Sequence, residues 1–507
     1  MKYVAIYHAN LNYAYLTADK YEFVIRNAYE LILDVMQNYY PDTKFVFEAS
    51  GYTIEEIANR TPDVLEKLKK AINEKRCEFM GSPYAHPMLP NFPKEDGKWS
   101  IYFSNNVYNK YLGFTPKSFW NPECGWRKYV PEQVESNGYK YLLGDFEAYS
   151  RSCKPDGSPI RPEIYEKEFT KEAKFYNMGF KYDLPGDEKA IHFPFDYRKN
   201  KLKIFLRTDR VAQFGVRFFM GMEGYSLEKY LELIKKYSQQ QPDEPEGALI
   251  IFADDAEYIG TNGWFRLKYQ NKPDNVFEAT PQSKENLINL ISNVKKMGDF
   301  ITFEEACLLP INTSEIHFDD DSAWHGAKAS TWANTPMAKL LRPWQDLVRE
   351  KLNKISNNLS YEEIEMIWFH LTNSYNSDGQ WPPTLPDAPH IIHPFNYSYC
   401  FDNLLKAELL VGGVNRKELT TNPKQTLKEI LWMQGDMIFQ KASDMIKSDN
   451  KEEVEKAKKA ILLIKKSMDF SSIDDEEKIL YPSEYKIRAE MIVEARKLVG
   501  GIEIEKI

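Results

Sequence analysis

From the first residue to about Glu305, short apolar runs alternate with longer stretches whose apolar residues recur at i, i+3 and i+4. That alternation predicts βα units around a parallel sheet or barrel. The apolar runs predict strands at Tyr3–Tyr7, Lys44–Phe47, Cys77–Met80, Ser118–Trp120, Tyr141–Leu143, Lys203–Leu206, Ala248–Phe252 and Phe300–Phe303. The longer stretches predict helices at Lys20–Tyr39, Pro62–Lys75, Ser226–Tyr237 and Ser283–Met297. Beyond Asn312 the pattern breaks into a polar, Trp-bearing stretch and then becomes helical, at Trp344–Leu359, Tyr361–Asn373, Asn396–Leu410, Thr426–Ser448 and Lys451–Lys466. The expected organisation is a catalytic α/β barrel over 1–310, a junction or cleft wall over 311–345, and a helical C-terminal domain over 346–507. An ordered excursion or flap at 374–395, carrying five prolines, interrupts that domain.

Polar residues follow nearly every predicted strand: His8, Glu48, Ser82 to His86, Glu123, Asp145, Asp209 and Asp255. In a parallel barrel such positions share one face, so residues distant in sequence converge on one cleft.

Composition narrows the field. A chain of 507 residues with 43% hydrophobic content can bury a large core and a second unit. A net charge of -9 with Lys and Glu interspersed argues against a nucleic-acid partner. The five cysteines are widely spaced, odd in number and form no CxxC pair, so neither a disulfide framework nor a thiolate metal site is indicated, and a reducing compartment fits. The N-terminal sequence is not a signal-peptide core and no stretch has the length and hydropathy of a membrane span, so the expected location is cytoplasmic. There is no GxGxxG, Walker A, GxSxG or HExxH arrangement to support nucleotide, serine-hydrolase or zincin chemistry.

Carboxylate chemistry remains. Glu123 follows Pro122, which stiffens the turn, and stands between Trp120 and Trp126. A carboxylate beside an aromatic wall suits a nucleophile with a flat platform for a sugar ring, and equally a surface Glu beside two core tryptophans. Asp254, Asp255 and Glu257 crowd three carboxyls after the apolar run ALIIFA, where repulsion should raise at least one pKa and keep a general acid protonated. Helix capping explains one of these acids but not all three. His8 and His86 lie at strand ends, where they could donate to sugar hydroxyls or to the nucleophile. Trp264 follows the acidic cluster closely enough to serve as a sugar platform.

With these residues in view, the chain resembles glycoside hydrolase family 57, the family of α-amylases, 4-α-glucanotransferases and α-glucan branching enzymes. The similarity is a series of motifs in order. YHANLNY keeps the His of the family's opening His-Gln-Pro motif as His8, with Ala9 and Asn10 in the other places. FEASGYTIEEI and CEFMGSPYAHPMLP are similar to the next two segments, FWNPECGW to the nucleophile motif, LRTDRVAQFGVRF to a further segment, and IIFADDAEYIG to the acid/base motif. NSYNSDGQW resembles the segment that the family's helical region sends into the cleft. The resemblance implies an incomplete (β/α)7 barrel followed by a helical bundle, and a retaining mechanism with no metal or organic cofactor. It also implies Glu123 as nucleophile, Asp255 as acid/base with Glu257 its companion, and Asp209, Asp378 and Trp381 as substrate contacts. Eight predicted strands are then one too many, or include one outside the barrel. The expected partner is an oligo- or polysaccharide, α-1,4-linked glucan above all. Two alternatives stand beside this reading. One is a metal-dependent α-mannosidase or polysaccharide deacetylase on a related barrel, which would need an early His-x-Asp that this chain lacks. The other is a non-catalytic α-glucan-binding protein.

Overall fold

The structure is a computed structural model that describes residues 1–13, 16–162, 188–197, 201–262, 277–312, 315–324, 327–380, 394–415, 423–473, 478 and 482–500. The chain divides into two compact units, one formed by Met1–Leu11, Ala18–Asn262 and Phe277–Ser330, the other by Asn12–Thr17, Gly263–Val276 and Thr331–Ile507.

Among the described residues the first unit has eight strands: β1 Lys2–Ala9, β2 Phe45–Ala49, β3 Cys77–Gly81, β4 Ser118–Phe119, β5 Tyr141–Asp145, β6 Phe195–Tyr197, β7 Leu202–Arg207 and β8 Ala248–Asp255. Their order across the sheet is β6-β7-β5-β4-β3-β2-β1-β8. Seven run parallel, and only β6 is antiparallel, paired to β7. This is the incomplete seven-stranded α/β barrel with one added strand. Parallel strands buried on both faces need near-continuous apolar sequence, and β1, β2 and β8 are buried almost throughout.

One predicted strand is corrected. Within Phe300–Phe303 only Phe300 makes a bridge, to Tyr3, and a helix begins at Phe303. Thr302 caps that helix: its hydroxyl accepts from Glu305 N while the Glu305 carboxylate accepts from Thr302 N. The capping box starts the helix where the apolar run would otherwise extend the strand. The three-residue β6 has no counterpart among the predicted strands.

Inside the barrel the period of two decides which residues meet. Val4, Ile6, Val46, Met80, Tyr141, Leu143, Phe205, Ala248, Ile250 and Ala253 share one apolar cluster with Trp120, Cys124 and Trp324. Counting two further along four of these strands gives His8, Glu48, Asp145 and Arg207. On β8 the count is broken by a bulge: Val4 pairs with Ile250 but Ala5 with Phe252, leaving Ile251 as the extra residue. The interior series on β8 therefore runs Ala248, Ile250, Ala253, Asp255, and Asp255 comes level with His8.

The second unit is helical. Its helices span Pro336–Ile355, Tyr361–Asn373, Pro394–Leu410, Pro423–Met445, Lys451–Ser467 and Pro482–Leu498, the last unanticipated from sequence. Capping fixes several starts. Ser360 and Glu363 form a capping box, Thr335 accepts from Ala338 N, and Asn450 accepts from Glu452 N. No helix among the described residues is long and apolar enough to cross a membrane.

Candidate active site

Each polar side chain of the first unit's strand-end face owes its place to a strand terminus or to the turn just after it. Glu123 sits in a 3₁₀ turn, Pro122–Cys124, directly after β4. Its backbone is left-handed (φ 57°, ψ 17°), and so is that of Cys124 (φ 46°). Two consecutive non-glycine residues in this region cost about 1–3 kcal/mol each, a strain held by the surrounding packing. The carboxyl is buried, at 2% exposure. His86, after β3, is also left-handed (φ 53°) and buried.

Asp255 ends β8 and remains reachable, with 16% of its side chain exposed. Burial, then Asp254, Glu257 and Glu123, push its pKa well above the ordinary carboxylate range, while His8 pulls it down. The expected shift is present, with burial a larger cause than repulsion. Glu257, in the next turn, is pushed up to about 7 by burial, against the pull of His8. It accepts from Asn10 N at 2.7 Å and from the Tyr29 hydroxyl.

His8 is held on three sides. Its Nδ1 meets the Glu48 carboxylate, its Nε2 stands 4.0 Å from Asp255 Oδ1, and its ring stacks on Trp120 at 4.7 Å and 7°. Burial opposes a charge there, but Glu48, Asp255 and Glu257 outweigh it and push the imidazole up to about 10. The His86 ring lies 5.2 Å away, and burial together with His8 drives its pKa well down, so it is neutral.

A second network closes the face between β5, β7 and β8. The buried Arg207 guanidinium donates to Asp209 at 2.7 Å, Asp145 at 3.0 Å and Asp254 at 3.3 Å. Gln213 donates to the same Asp254 oxygen at 2.8 Å. Glu147 accepts from Thr208 Oγ1 and Asp209 N. Burial followed by Asp209 pushes Glu147 up to about 7, and burial, Asp209 and Glu147 raise Asp145. Among the described residues Asp145, Glu147 and Asp209 bring carboxylate oxygens within 4.8 Å of one another, a spacing a cation can use. The positive charge present is Arg207, on two of the three. Its guanidinium also lies 5.1 Å over the Trp324 ring.

The structure thus gathers Glu123, Asp255, Glu257, His8 and His86 on one face, with Asp209 in the neighbouring Arg207 network. Trp126 is buried, its ring 4.4 Å from Phe318 and 5.7 Å from Tyr197, and Trp120 gives a face to His8. These two tryptophans pack within the unit. Asp378 belongs to the second unit, buried in a 3₁₀ turn at Asp378–Gln380. Trp264 and Trp381 lie outside the described residues. Sequence reasoning passed over Arg207 and left Glu48 without a role. The signal for each was a charged residue in phase with the interior apolar series, Phe205 then Arg207, Val46 then Glu48.

A family model, Glycosyl hydrolase family 57, matches residues 2–280. An α-amylase from Pyrococcus abyssi is 22% identical over 250 residues, 49% of this chain and 31% of that protein. A 4-α-glucanotransferase from Thermococcus litoralis is 25% identical over 125 residues, 25% of this chain and 19% of that protein. The matched stretch spans about a third or less of these curated relatives. In fold, the chain is similar to the branching enzyme of the same family from Pyrococcus horikoshii, with a TM-score of 0.56 and 11% identity over 85% of this chain and 94% of that one. The corresponding enzyme from Thermococcus kodakaraensis gives a TM-score of 0.54 at 11% identity over 90% and 94%.

Proposed function

Because the chain belongs to glycosyl hydrolase family 57, we infer that it is a retaining glycoside hydrolase or transglycosylase acting on α-1,4-linked glucans. One observation carries the reading. Glu123 after β4 and Asp255 at the end of β8 occupy one strand-end face, close enough for the charge on the first to raise the pKa of the second. Two carboxyls on one face, one of them with its pKa raised well above the ordinary carboxylate range, are the equipment of glycosidic cleavage.

In the first half-reaction Glu123 attacks the anomeric carbon while Asp255 protonates the departing glycosidic oxygen. In the second, Asp255 takes a proton from water or a sugar hydroxyl, which displaces Glu123 from the glycosyl ester. Water gives hydrolysis and a sugar acceptor gives transfer. Glu257 braces Asn10, and His8 lies beside the acid/base carboxyl. The names of the matched α-amylases and 4-α-glucanotransferases support an α-glucan as substrate. Five free cysteines support a reducing compartment, the cytoplasm.

Maltoheptaose incubated with the protein should yield shorter sugars alone if water is the acceptor, or a ladder both shorter and longer if a sugar is. Glu123→Gln should abolish either pattern. Unchanged product formation by that variant removes Glu123 as nucleophile. In a crystal structure a retaining pair stands about 5–5.5 Å apart, whereas a gap of about 6.5–9.5 Å assigns inversion.

A further inference from the structure

Glu48 has no part in the two-step chemistry, yet the fold takes it fully out of water at the interior end of β2. The β1–β2 register pairs His8 with Glu48, and the β1–β8 register pairs His8 with Asp255. Glu48, His8 and Asp255 therefore form one row across three adjacent strands. We propose that Glu48 and His8 are a positioning dyad for the acid/base carboxyl: Glu48 takes the Nδ1–H of His8, and the imidazole Nε2–H faces Asp255. The proposal rests on the reading of Asp255 as acid/base.

Three observations support it. A buried carboxylate left without a cation is strongly unfavourable, and the partner Glu48 has is the His8 ring. The ring plane is not free to turn, because Trp120 stacks on it nearly parallel and His86 lies against it. The ring nitrogen away from Glu48 is the one directed at Asp255 Oδ1.

The groups facing His8 are Glu48 from β2, Asp255 and Glu257 from β8 and the turn after it, and His86 from the loop after β3. His86 is neutral, so the imidazolium is a local cation among carboxyls. That is what an acid in this place requires. Asp255 is hemmed by Asp254, Glu257 and Glu123, each of which makes its proton harder to release. When Asp255 gives that proton to the leaving oxygen, the C–O bond breaks with its electron pair on that oxygen. The new carboxylate then stands beside Nε2–H. The His8 proton itself is not transferred, and it offsets the charge that appears on Asp255 and disappears again in the second half-reaction.

Glu48→Gln keeps the shape and removes the charge. With maltoheptaose the variant should lose about tenfold to a hundredfold in kcat/KM, the range over which a weakened general acid acts. The alkaline limb of its pH profile should move to higher pH. With α-maltotriosyl fluoride, whose leaving group needs no proton, the rate should stay within about twofold of wild type. Glu48→Asp, which keeps the charge, should restore most of the maltoheptaose rate, and His8→Gln should repeat the leaving-group signature. Histidine ring nitrogen NMR, assigned with His8→Asn, should show the His8 imidazolium at pH 8 in wild type and a neutral ring in Glu48→Gln. Equal losses on both substrates with an unmoved alkaline limb overturn the dyad, as does a neutral His8 in wild type at that pH. A folded wild type that turns over neither substrate overturns the acid/base reading of Asp255 itself, and the dyad with it.

Discussion

Arg207 delivers a guanidinium to the point where Asp145, Asp209 and Asp254 meet, and burial leaves little solvent to replace it. Removing one partner of such a network leaves uncompensated buried charge, so Arg207→Met should destabilise the first unit by about 3–5 kcal/mol. Arg207→Lys should recover only part of this, because an ammonium cannot fork toward three carboxylates. Denaturant midpoints of the two variants check both expectations, and a loss below about 1 kcal/mol in Arg207→Met would show that the acids neutralise themselves by taking up protons. Tyr29 is a smaller case. Its hydroxyl donates to Glu257, and Tyr29→Phe should cost about 1–3 kcal/mol by leaving that buried carboxyl one donor short.

Among the elements, those written as long apolar runs were legible in the sequence, and those decided by a cap or by a partner strand were not. Seven predicted strands overlap the seven parallel strands because a strand buried on both faces must be apolar along its length. Phe300–Phe303 misled because Phe-Ile-Thr-Phe is as apolar as a strand, while Thr302 and Glu305 carried the contrary sign. β6 is three residues long and exists through its pairing with β7, which no local pattern announces. The same division holds in the site: acids placed after apolar runs could be read, whereas Arg207 at the end of its own run looked like the close of a strand. Close approach between elements was likewise invisible. A Cβ at Gly260 would lie 1.9 Å from the Asn27 carbonyl oxygen, in the π-helical turn Ile25–Tyr29 that carries Tyr29 to Glu257. Gly260→Ala should therefore push that turn away from the β8 loop at a cost of about 1–3 kcal/mol. Its crystal structure should show the Tyr29 hydroxyl withdrawn from Glu257, and an unmoved Tyr29 would refute the coupling.

For the whole molecule, the raised carboxyls set a direction to pH dependence. Glu257, Glu147 and Glu78 are each pushed up to about 7, burial being the first cause in all three. In the unfolded chain a glutamate loses its proton near 4.5, so between about 4.5 and 7 the folded state binds more protons, and stability from these groups falls as pH rises. His8 acts in the same sense: its contribution is complete below about 6.5 and is lost as pH climbs through about 10. His86, held neutral, works the opposite way below about 6.5. A comparison isolates one group from the rest. Measured from pH 5 to 8, Glu257→Gln should gain stability relative to wild type as pH rises, and a constant difference between the two would refute the raised pKa.

The extra residue at Ile251 makes the composition of the face and its phase separate properties. Two neighbouring aspartates close β8, and the count of residues before them selects which one stands level with His8. Inserting one residue between Phe252 and Asp254 would act as a frameshift in space, altering neither aspartate yet handing the position of Asp255 to Asp254. A chain can thus keep every motif letter of a working enzyme and still be silenced by one added residue well inside its core.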